Sequence, residues 1–424
     1  MTSIPAPWGP TSRRSNGVSS PARASWSWRR SSECRSSGDG SWPSRSDPRP
    51  TLAALLRREY GADHLLLTDS GTDALQLAIR AAVECVAHPV TVAIPAYSCF
   101  DVATAAVGAG STIDCYDIDP RTLGPDMASL ERCLAAGARV VVVAPLFGVP
   151  VDWERLLRTT ERWGAVLIED AAQGFGASWQ GRRLGSLGAL SVLSFGRGKG
   201  WTGGSGGAVL CRAPAPWDET LTLLGRRSVG AELLGLGAAF TQWAFGRPGW
   251  FGLPASVPAL HLGETRYRAP RVARPMRRSA AMLLLRMQGA AYLESERRRA
   301  TGEWLMSALP YARGVERIHP PGDAVAGWLR FPLLLAEGWE GFDDPRAATR
   351  AGSAPGYPRV LPELPAVQAR MTERSRDEEW PGARLLVRQL VTLPTHSWLA
   401  ATDHARLLRI VEHYARRGRG AMVS

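Results

Sequence analysis

The chain has 424 residues, of which 45% are hydrophobic and 21% are charged. This length suggests two domains, or one large enzyme unit with an appended lobe, and the composition excludes a mostly disordered or fibrous protein. The formal net charge is +12, but a basic balance is by itself weak evidence for a nucleic-acid partner, and none is expected.

Residues 1–48 are rich in Ser and Arg and show no helical or strand periodicity. This composition predicts a disordered tail, or a start that is not native protein sequence. From about Arg49 the pattern becomes orderly. We expect a large domain over residues 49–255 and a smaller C-terminal α+β domain over residues 256–424.

Beyond the tail, short apolar runs alternate with helical stretches. The first helix is predicted over 52–60, the first strand over 64–68 and the next helix over 74–86. Further strands are predicted at 90–95, 112–118, 139–144, 165–169, 189–195 and 208–211, and further helices at 100–108, 127–136 and 152–163. This alternation predicts an α/β fold with a mainly parallel sheet, helices on both faces and ligands at the carboxyl ends of the strands.

The segment 225–258 is rich in Leu, Gly, Trp and Phe. We favour a subunit interface, and therefore a homodimer, because a monomer rarely leaves so much apolar surface in water. The alternative is that residues 229–251 lie on a membrane surface. A long helix is predicted over 274–299 and a last helix over 402–417.

The six cysteines are scattered, without the spacing of a metal site or a redox pair. They indicate reduced thiols in a cytoplasmic protein, and no metal site is expected. No run approaches the roughly 20 apolar residues of a membrane span.

The basic residues are almost all Arg, and Lys199 is the one Lys among 51 basic residues. Arg replaces Lys wherever only a positive charge is needed, but a guanidinium is not an amine nucleophile. A single remaining Lys therefore indicates covalent amine chemistry. The alternative is that one Lys remains by chance.

Two polar segments fall at predicted strand ends in the first half of the chain. Ser70-Gly71-Thr72 follows a strand and starts a helix, where free backbone N–H groups and the positive helix end form a seat for a phosphate. Ser is also an ordinary capping residue at this position. Farther along, Glu169 and Asp170 end a buried strand, where an acidic pair is often merely solvated or capping.

Two further segments lie close together near residue 200. Lys199 comes five residues after Ser194, just past a buried strand. The glycine-rich loop 203–207 follows, and it is expected to let the backbone approach a bound group closely.

Together these segments resemble a known family. Residues 65–212 are similar to the DegT/StrS-type aminotransferases, and the similarity returns at Tyr357-Pro358 and at 390–399. The similar stretches are SGTDALQLAIRA, IPAYSCFDVATAAVGAG, DIDPRTLGPD, LIEDAAQGFGASWQGRRLGSLG, LSFGRGKGWTGGSGGAVL and LVTLPTHSWL. The resemblance implies a fold-type I pyridoxal-phosphate enzyme that is active as a homodimer. The 49–255 domain would bind the cofactor. The resemblance also implies transfer of an amino group from an amino acid, with glutamate the expected donor, to a nucleotide-linked keto-sugar.

The resemblance implies a role for each residue of the cofactor site. Lys199 would form the internal aldimine with pyridoxal phosphate and then shuttle a proton. Asp170 would pair with the protonated pyridine nitrogen, which keeps the ring an electron sink. Gln173 would lie beside the phenolic oxygen of the ring.

The phosphate of the cofactor would be held by Ser194 with the backbone amides of Gly71 and Thr72. A buried hydroxyl at a strand end can instead simply bond to the backbone. The spacing from Ser194 to Lys199 favours the phosphate role.

Departures from the family pattern fall on the substrate side. Cys99 stands where the family usually has an aromatic residue over one face of the cofactor. Either Tyr97 or Phe100 compensates, or the thiol lines that face. Gly356 stands where the family has a His before the Tyr-Pro pair.

These departures leave a second hypothesis open, a non-catalytic or divergent relative with a sensor or scaffold role. The presence of Lys199 opposes it. The same residue opposes the family's dehydratase branch, in which the lysine is replaced by His.

Overall fold

The computed structural model describes residues 47–86, 90–212, 266–309 and 312–420, with the backbone alone described at 401 and 416–420. The N-terminal tail up to residue 46 lies outside the described residues. So do the apolar segment 225–258 and the predicted domain boundary between residues 255 and 256. The domain limits therefore stay predictions.

Between residues 48 and 211 the described strands and helices follow one another in the predicted order, with two short strands added after residue 170. The strands are β1 (His64–Thr68), β2 (Thr91–Pro95), β3 (Thr112–Tyr116), β4 (Ala138–Val143), β5 (Val166–Asp170), β6 (Ser178–Trp179), β7 (Arg182–Arg183), β8 (Leu190–Ser194), β9 (Gly207–Cys211), β10 (Val315–Arg317), β11 (Ala324–Val325), β12 (Phe331–Leu335), β13 (Ala354–Pro355) and β14 (Leu390–Leu393). The helices are α1 (Pro48–Tyr60), α2 (Gly71–Glu84), α3 (Phe100–Gly108), α4 (Met127–Ala135), α5 (Trp153–Arg162), α6 (Arg278–Ala308), α7 (Pro345–Arg350), α8 (Pro365–Gln368), α9 (Glu373–Asp377), α10 (Pro381–Gln389) and α11 (Ala401–Gly420).

The large sheet contains seven of the described strands in the order β1-β9-β8-β5-β4-β2-β3. The strands from β8 to β3 pair in parallel, whereas β9 is antiparallel to both of its neighbours, β8 and β1. Parallel strands are covered on both faces and are therefore almost continuously apolar, as in the ARVVVV sequence of β4. The predicted mainly parallel α/β fold is confirmed.

Capping residues decide where the helices begin. The helix predicted over 74–86 starts at Gly71, because the Ser70 hydroxyl accepts a hydrogen bond from the Asp73 amide at 3.0 Å and so caps the first turn. The long helix predicted over 274–299 starts at Arg278 instead, because Pro275 pairs with Thr68 of β1 and the Met276 amide donates to the Leu67 carbonyl at 3.3 Å. It continues to Ala308, nine residues beyond the prediction.

A second sheet is built from residues after α6. Its described strands are antiparallel in the order β10-β12-β14-β13, and helices α7 to α11 lie in the same part of the chain. This is the expected α+β composition of the C-terminal part. No helix among the described residues is both long and apolar enough to cross a membrane.

Charged side chains join the C-terminal part to the large sheet. The Asp114 carboxylate of β3 accepts hydrogen bonds from the Arg374 guanidinium at 2.7 and 2.9 Å and from the Thr372 hydroxyl at 3.1 Å. Asp117 accepts from the backbone amides of Gly382 and Ala383, both at 2.8 Å, at the start of α10. These bonds satisfy buried carboxylates and fix α9 and α10 against the sheet.

Candidate active site

A cleft opens at the carboxyl ends of the parallel strands. Ligands in open α/β sheets bind at this edge. All seven residues that the sequence predicts for the site line this cleft, which brings together segments more than 120 positions apart along the chain. The lining residues are Gly71, Thr72, Leu75, Ser98, Cys99, Asp101, Ala144, Pro145, Asp170, Ala172, Gln173, Ser194 and Lys199.

The first turn of α2 faces Ser194, the last residue of β8. A Cβ atom at Gly71 would lie 2.6 Å from the Ser194 Cβ and 2.7 Å from its Oγ, so only glycine allows this approach. The first amides of a helix have no partner within the helix, and they carry the positive end of the helix dipole. The amides of Gly71 and Thr72 therefore lie beside a hydroxyl donor in an arrangement suited to an anion.

The acidic pair at the end of β5 divides between the two faces of the sheet, because successive side chains of a strand point to opposite faces. Glu169 is fully buried and accepts hydrogen bonds from the amides of Gly185 at 2.6 Å and Leu187 at 2.8 Å. It also accepts from the Gly188 amide at 3.2 Å and the Ser191 hydroxyl at 2.9 Å. Glu169 thus holds the loop before β8 and does not line the cleft.

Asp170 faces the cleft and is only 9% exposed. Its Oδ1 accepts from the Ala172 amide at 3.1 Å, whereas Oδ2 has no hydrogen-bond partner among the described residues. Burial raises the pKa of Asp170 to about 6, although Lys199 and the Ala172 amide oppose the rise. A buried carboxylate oxygen without a partner is suited to a cationic N–H donor from a ligand.

Lys199 lies in the loop between β8 and β9, and it is half-buried at the cleft. Backbone hydrogen bonds hold this loop, from the Phe195 amide to the Gly206 carbonyl at 2.8 Å and from the Gly206 amide to the Asp69 carbonyl at 2.7 Å. None of the glycines at 203–207 is among the residues that line the cleft, and their approach to a bound group stays a prediction. Gly203, Gly206 and Gly207 lie where the loop packs closely against other parts of the chain.

Comparison with known proteins shows what the chain is similar to. Residues 29–232, just under half of the chain, match the model of the DegT/DnrJ/EryC1/StrS aminotransferase family. The resemblance seen in the sequence is thereby confirmed.

Named relatives match about a third of the chain. An L-glutamine:2-deoxy-scyllo-inosose aminotransferase of Streptoalloteichus tenebrarius is 35% identical over 150 residues, which are 35% of this chain and 35% of that protein. The GDP-perosamine synthase of Caulobacter vibrioides is 32% identical over 149 residues, which are 35% of this chain and 40% of that protein. The chain thus matches less than half the length of these curated relatives.

The fold extends beyond the stretch of sequence similarity. The crystal structure of a 3-amino-5-hydroxybenzoic acid synthase superposes with a TM-score of 0.67 over 88% of this chain and 91% of that chain, at 21% identity. The C-terminal part of the chain therefore keeps the fold-type I architecture at low sequence identity.

One departure from the family pattern is explained by Tyr97. A Cβ atom at Gly356 would lie 2.1 Å from the Tyr97 hydroxyl, so a His side chain does not fit there. Tyr97 is fully buried, and its hydroxyl accepts from the Tyr357 amide at 2.7 Å. Neither Tyr97 nor Phe100 is among the residues that line the cleft, and the compensation for Cys99 by one of them stays a prediction.

The thiol of Cys99 lines the cleft instead. It lies 3.6 Å from Oδ2 of Asp101, a cleft residue that the sequence analysis missed. Burial, together with Asp101, raises the pKa of Cys99 to about 12, so the side chain remains a neutral thiol. The position of Asp101 in the first turn of α3 was the available signal, but acidic residues are common there for helix capping alone.

Gln173 is fixed by two hydrogen bonds in the cleft wall. Its Oε1 accepts from the Phe147 amide at 2.8 Å, and its Nε2 donates to the Tyr357 hydroxyl at 2.9 Å. The sequence analysis noted Tyr357 as part of the family resemblance but assigned it no role. Phe147 carried no recognisable signal, since it lies in a one-turn 3-10 helix after β4.

Proposed function

We propose that the chain is a pyridoxal-phosphate-dependent aminotransferase that moves an amino group from an amino acid to the carbonyl carbon of a keto-sugar. The observation that carries this proposal is that the single Lys of the sequence lies in one cleft with an anion seat and a buried, partly unpaired carboxylate. Bound pyridoxal phosphate supplies an aldehyde that condenses with amines and a ring that accepts the electron pair released when a C–H bond breaks.

The residues of the cleft fit this cofactor. Ser194 and the amides of Gly71 and Thr72 would hold the phosphate, because their donors converge where a Cβ at Gly71 could not fit. The unpaired Oδ2 of Asp170 would accept a hydrogen bond from the protonated ring nitrogen. Lys199 supplies the amine that binds the cofactor covalently.

Each of these residues also has a task during turnover. Asp170 would keep the proton on the ring nitrogen, because a carboxylate in a buried site stabilises a neighbouring positive charge strongly. Lys199, once released from the cofactor, would move a proton between the substrate carbon and the cofactor in each half of the reaction. The flexible four-carbon stem of a lysine suits this transfer.

The keto substrate is proposed to be a sugar or a closely related polyhydroxylated ring, with a nucleotide-linked sugar as the first candidate. The names of the relatives support both forms, since one names a GDP-linked product and another names an inosose. Glutamate is the expected donor, and the name of one relative specifies L-glutamine. An assay should therefore offer both donors against both kinds of acceptor.

Absorbance of the purified protein tests this function. After addition of pyridoxal phosphate we expect a band near the visible edge, which is lost on adding an amino acid and returns on adding a keto acceptor. A non-catalytic relative with a sensor or scaffold role would show no loss of the band with any donor. That outcome would replace the proposal with the second hypothesis.

We further propose a cytoplasmic homodimer. The free thiols of the described cysteines support a reducing compartment. The apolar composition of residues 225–258 supports a covered interface. Light scattering should give a dimer, and a monomer with concentration-independent activity would contradict it. Liposome co-sedimentation that is lost on Trp243→Ser and Phe251→Ser would instead support the membrane alternative.

A further inference from the structure

The side chain of Gln173 can adopt only one orientation in the cleft wall. The Phe147 amide is buried and can only donate, so the atom that faces it at 2.8 Å must be the carbonyl oxygen Oε1. The amide nitrogen Nε2 must then face Tyr357 and donate to its hydroxyl at 2.9 Å. Rotating the amide by half a turn would place an N–H group against the buried Phe147 N–H group, which is unfavourable.

This orientation leaves one hydrogen of Gln173 unused. The Nε2 group carries two hydrogens, and the hydrogen bonds of the described residues account for one of them. Gln173 lines the cleft beside Asp170, whose own Oδ2 is also without a partner. The cleft wall therefore offers a donor and an acceptor close together, as a ring with both an oxygen and an N–H group requires.

The backbone and ring packing around Gln173 hold this arrangement. Phe147 has a φ angle of +56°, a left-handed conformation that is costly for a residue with a large side chain. Its ring stacks on that of Tyr357, with centroids 6.2 Å apart and an interplanar angle of 18°. Strain at such a position is kept when the surrounding contacts require it, and here it aims the Phe147 amide at Gln173.

We infer that Tyr357 is a positioning residue, which together with the Phe147 amide holds Gln173 so that the second Nε2 hydrogen is donated to the phenolic oxygen of bound pyridoxal phosphate. This inference rests on the proposed function. The donated hydrogen bond stabilises negative charge on that oxygen, which lowers the proton affinity of the chromophore formed with Lys199. The geometry thus assigns Tyr357 a role in tuning the cofactor.

Titration of the visible band measures this tuning directly. Tyr357→Phe removes the hydroxyl that accepts from Gln173 Nε2, so the side chain of Gln173 is free to turn. The apparent pKa of the absorbance band should then rise by about one unit, equal to a tenfold change in proton affinity. The dissociation constant of the cofactor, measured by fluorescence, should rise severalfold. Both readouts are independent of turnover.

Other titrating groups face the same space and must be separated from this effect. Asp170, Asp101 and Lys199 line the cleft in every variant, so any transition of theirs is common to all of the titrations. Burial raises the pKa of Cys99 to about 12 and that of Tyr357 above its ordinary value. Neither group ionises between pH 5 and about pH 9.

Two further variants keep the test decisive. Gln173→Glu retains an acceptor for the Phe147 amide but has no hydrogen to donate, so it should raise the apparent pKa at least as much as Tyr357→Phe. Tyr97→Phe removes the hydroxyl that accepts from the Tyr357 amide. Tyr97 is not among the residues that line the cleft, so this variant should leave the apparent pKa of the band unchanged.

The possible results separate the inference from the function beneath it. An unchanged pKa in either Tyr357→Phe or Gln173→Glu would overturn the inference, as would an equal rise in Tyr97→Phe, which would indicate loop packing alone. If Tyr357→Phe does not fold, an unchanged pKa in Gln173→Glu still overturns it. Absence of any visible band in the wild type with pyridoxal phosphate would refute the proposed function and the inference with it.

Discussion

The two faces of β5 carry adjacent carboxylates in opposite environments. Glu169 is fully buried, and three backbone amides and one hydroxyl donate to it. Asp170 is almost as buried but receives a single described hydrogen bond, from the Ala172 amide. One residue of the pair therefore closes a loop onto the sheet, while the other leaves an oxygen directed at the cleft.

The difference shows that burial alone does not distinguish a structural carboxylate from a functional one. What separates them is the number of donors that the surrounding chain provides. A carboxylate whose hydrogen bonds are all formed has no capacity left for a ligand. A partly bonded one keeps a free-energy cost of burial, and a ligand that donates a hydrogen bond can remove it. The face of β5 that carries Glu169, the closed face, should thus determine stability. The face that carries Asp170, the open face, should determine chemistry.

The largest effect is expected on the open face, from Lys199→Arg. Arg keeps the charge and nearly the length of Lys but supplies no nucleophilic amine, so turnover should fall roughly a thousandfold or more. Borohydride reduction of the wild type with bound cofactor should label the peptide that contains Lys199, and the variant should not be labelled. An intact fold by circular dichroism is the control, and an unlabelled wild type would contradict the assignment.

On the closed face, Glu169→Ala should reduce stability by about 4 kcal/mol, because several buried donors lose their acceptor at once. Urea unfolding of the cofactor-free protein measures the loss. Glu169→Gln keeps one acceptor oxygen and should retain part of the stability. A loss below about 1 kcal/mol in the Ala variant would mean that the loop before β8 is not held by this carboxylate.

Asp170→Asn tests the open face without removing the amine. A neutral amide cannot hold the proton on the ring nitrogen, so turnover should drop about a hundredfold while the phosphate seat still binds the cofactor. Single-turnover kinetics with a glutamate donor measure the loss. Asp101→Asn removes another carboxylate of the same cleft and should have a smaller effect. Near-normal rates in Asp170→Asn would remove the contrast between the two faces.

The smallest expected effect is on the pH dependence of stability in the cofactor-free protein. Because burial raises the pKa of Asp170 to about 6 from 3.8, the charged form is disfavoured in the folded state. The stabilising contribution of the neutral form is complete below about pH 4 and is lost as the pH rises through 6.

Asp170→Asn should therefore match the wild type at pH 4 and exceed it by about 3 kcal/mol at pH 8. Thermal unfolding at both pH values checks this. With cofactor bound the order should reverse at pH 8, since the charge then has a partner. Equal stabilities of the wild type and Asp170→Asn at pH 8 without cofactor would show that burial does not disfavour the charged form of Asp170.

Much of the fold could be read from the order of elements. The alternation of apolar strands and helices between residues 52 and 211 was sufficient, and most boundaries agree within two residues. The starts of α2 and α6 were misplaced because capping by Ser70 acts over one turn and the pairing of Pro275 with Thr68 is a tertiary contact, and apolar periodicity resolves neither.

The sequence by itself determined the α/β class and the single amine at Lys199, because these depend on residue type and on the alternation of apolar strands and helices. Its motifs and its resemblance to the aminotransferase family also identified seven of the residues that line the cleft. Tertiary structure alone decided which carboxylate of the β5 pair faces the cleft. It also decided that Gly356 accommodates the Tyr97 hydroxyl and that Tyr357 orients Gln173. These features depend on contacts between residues up to 260 positions apart, and no local pattern encodes such contacts.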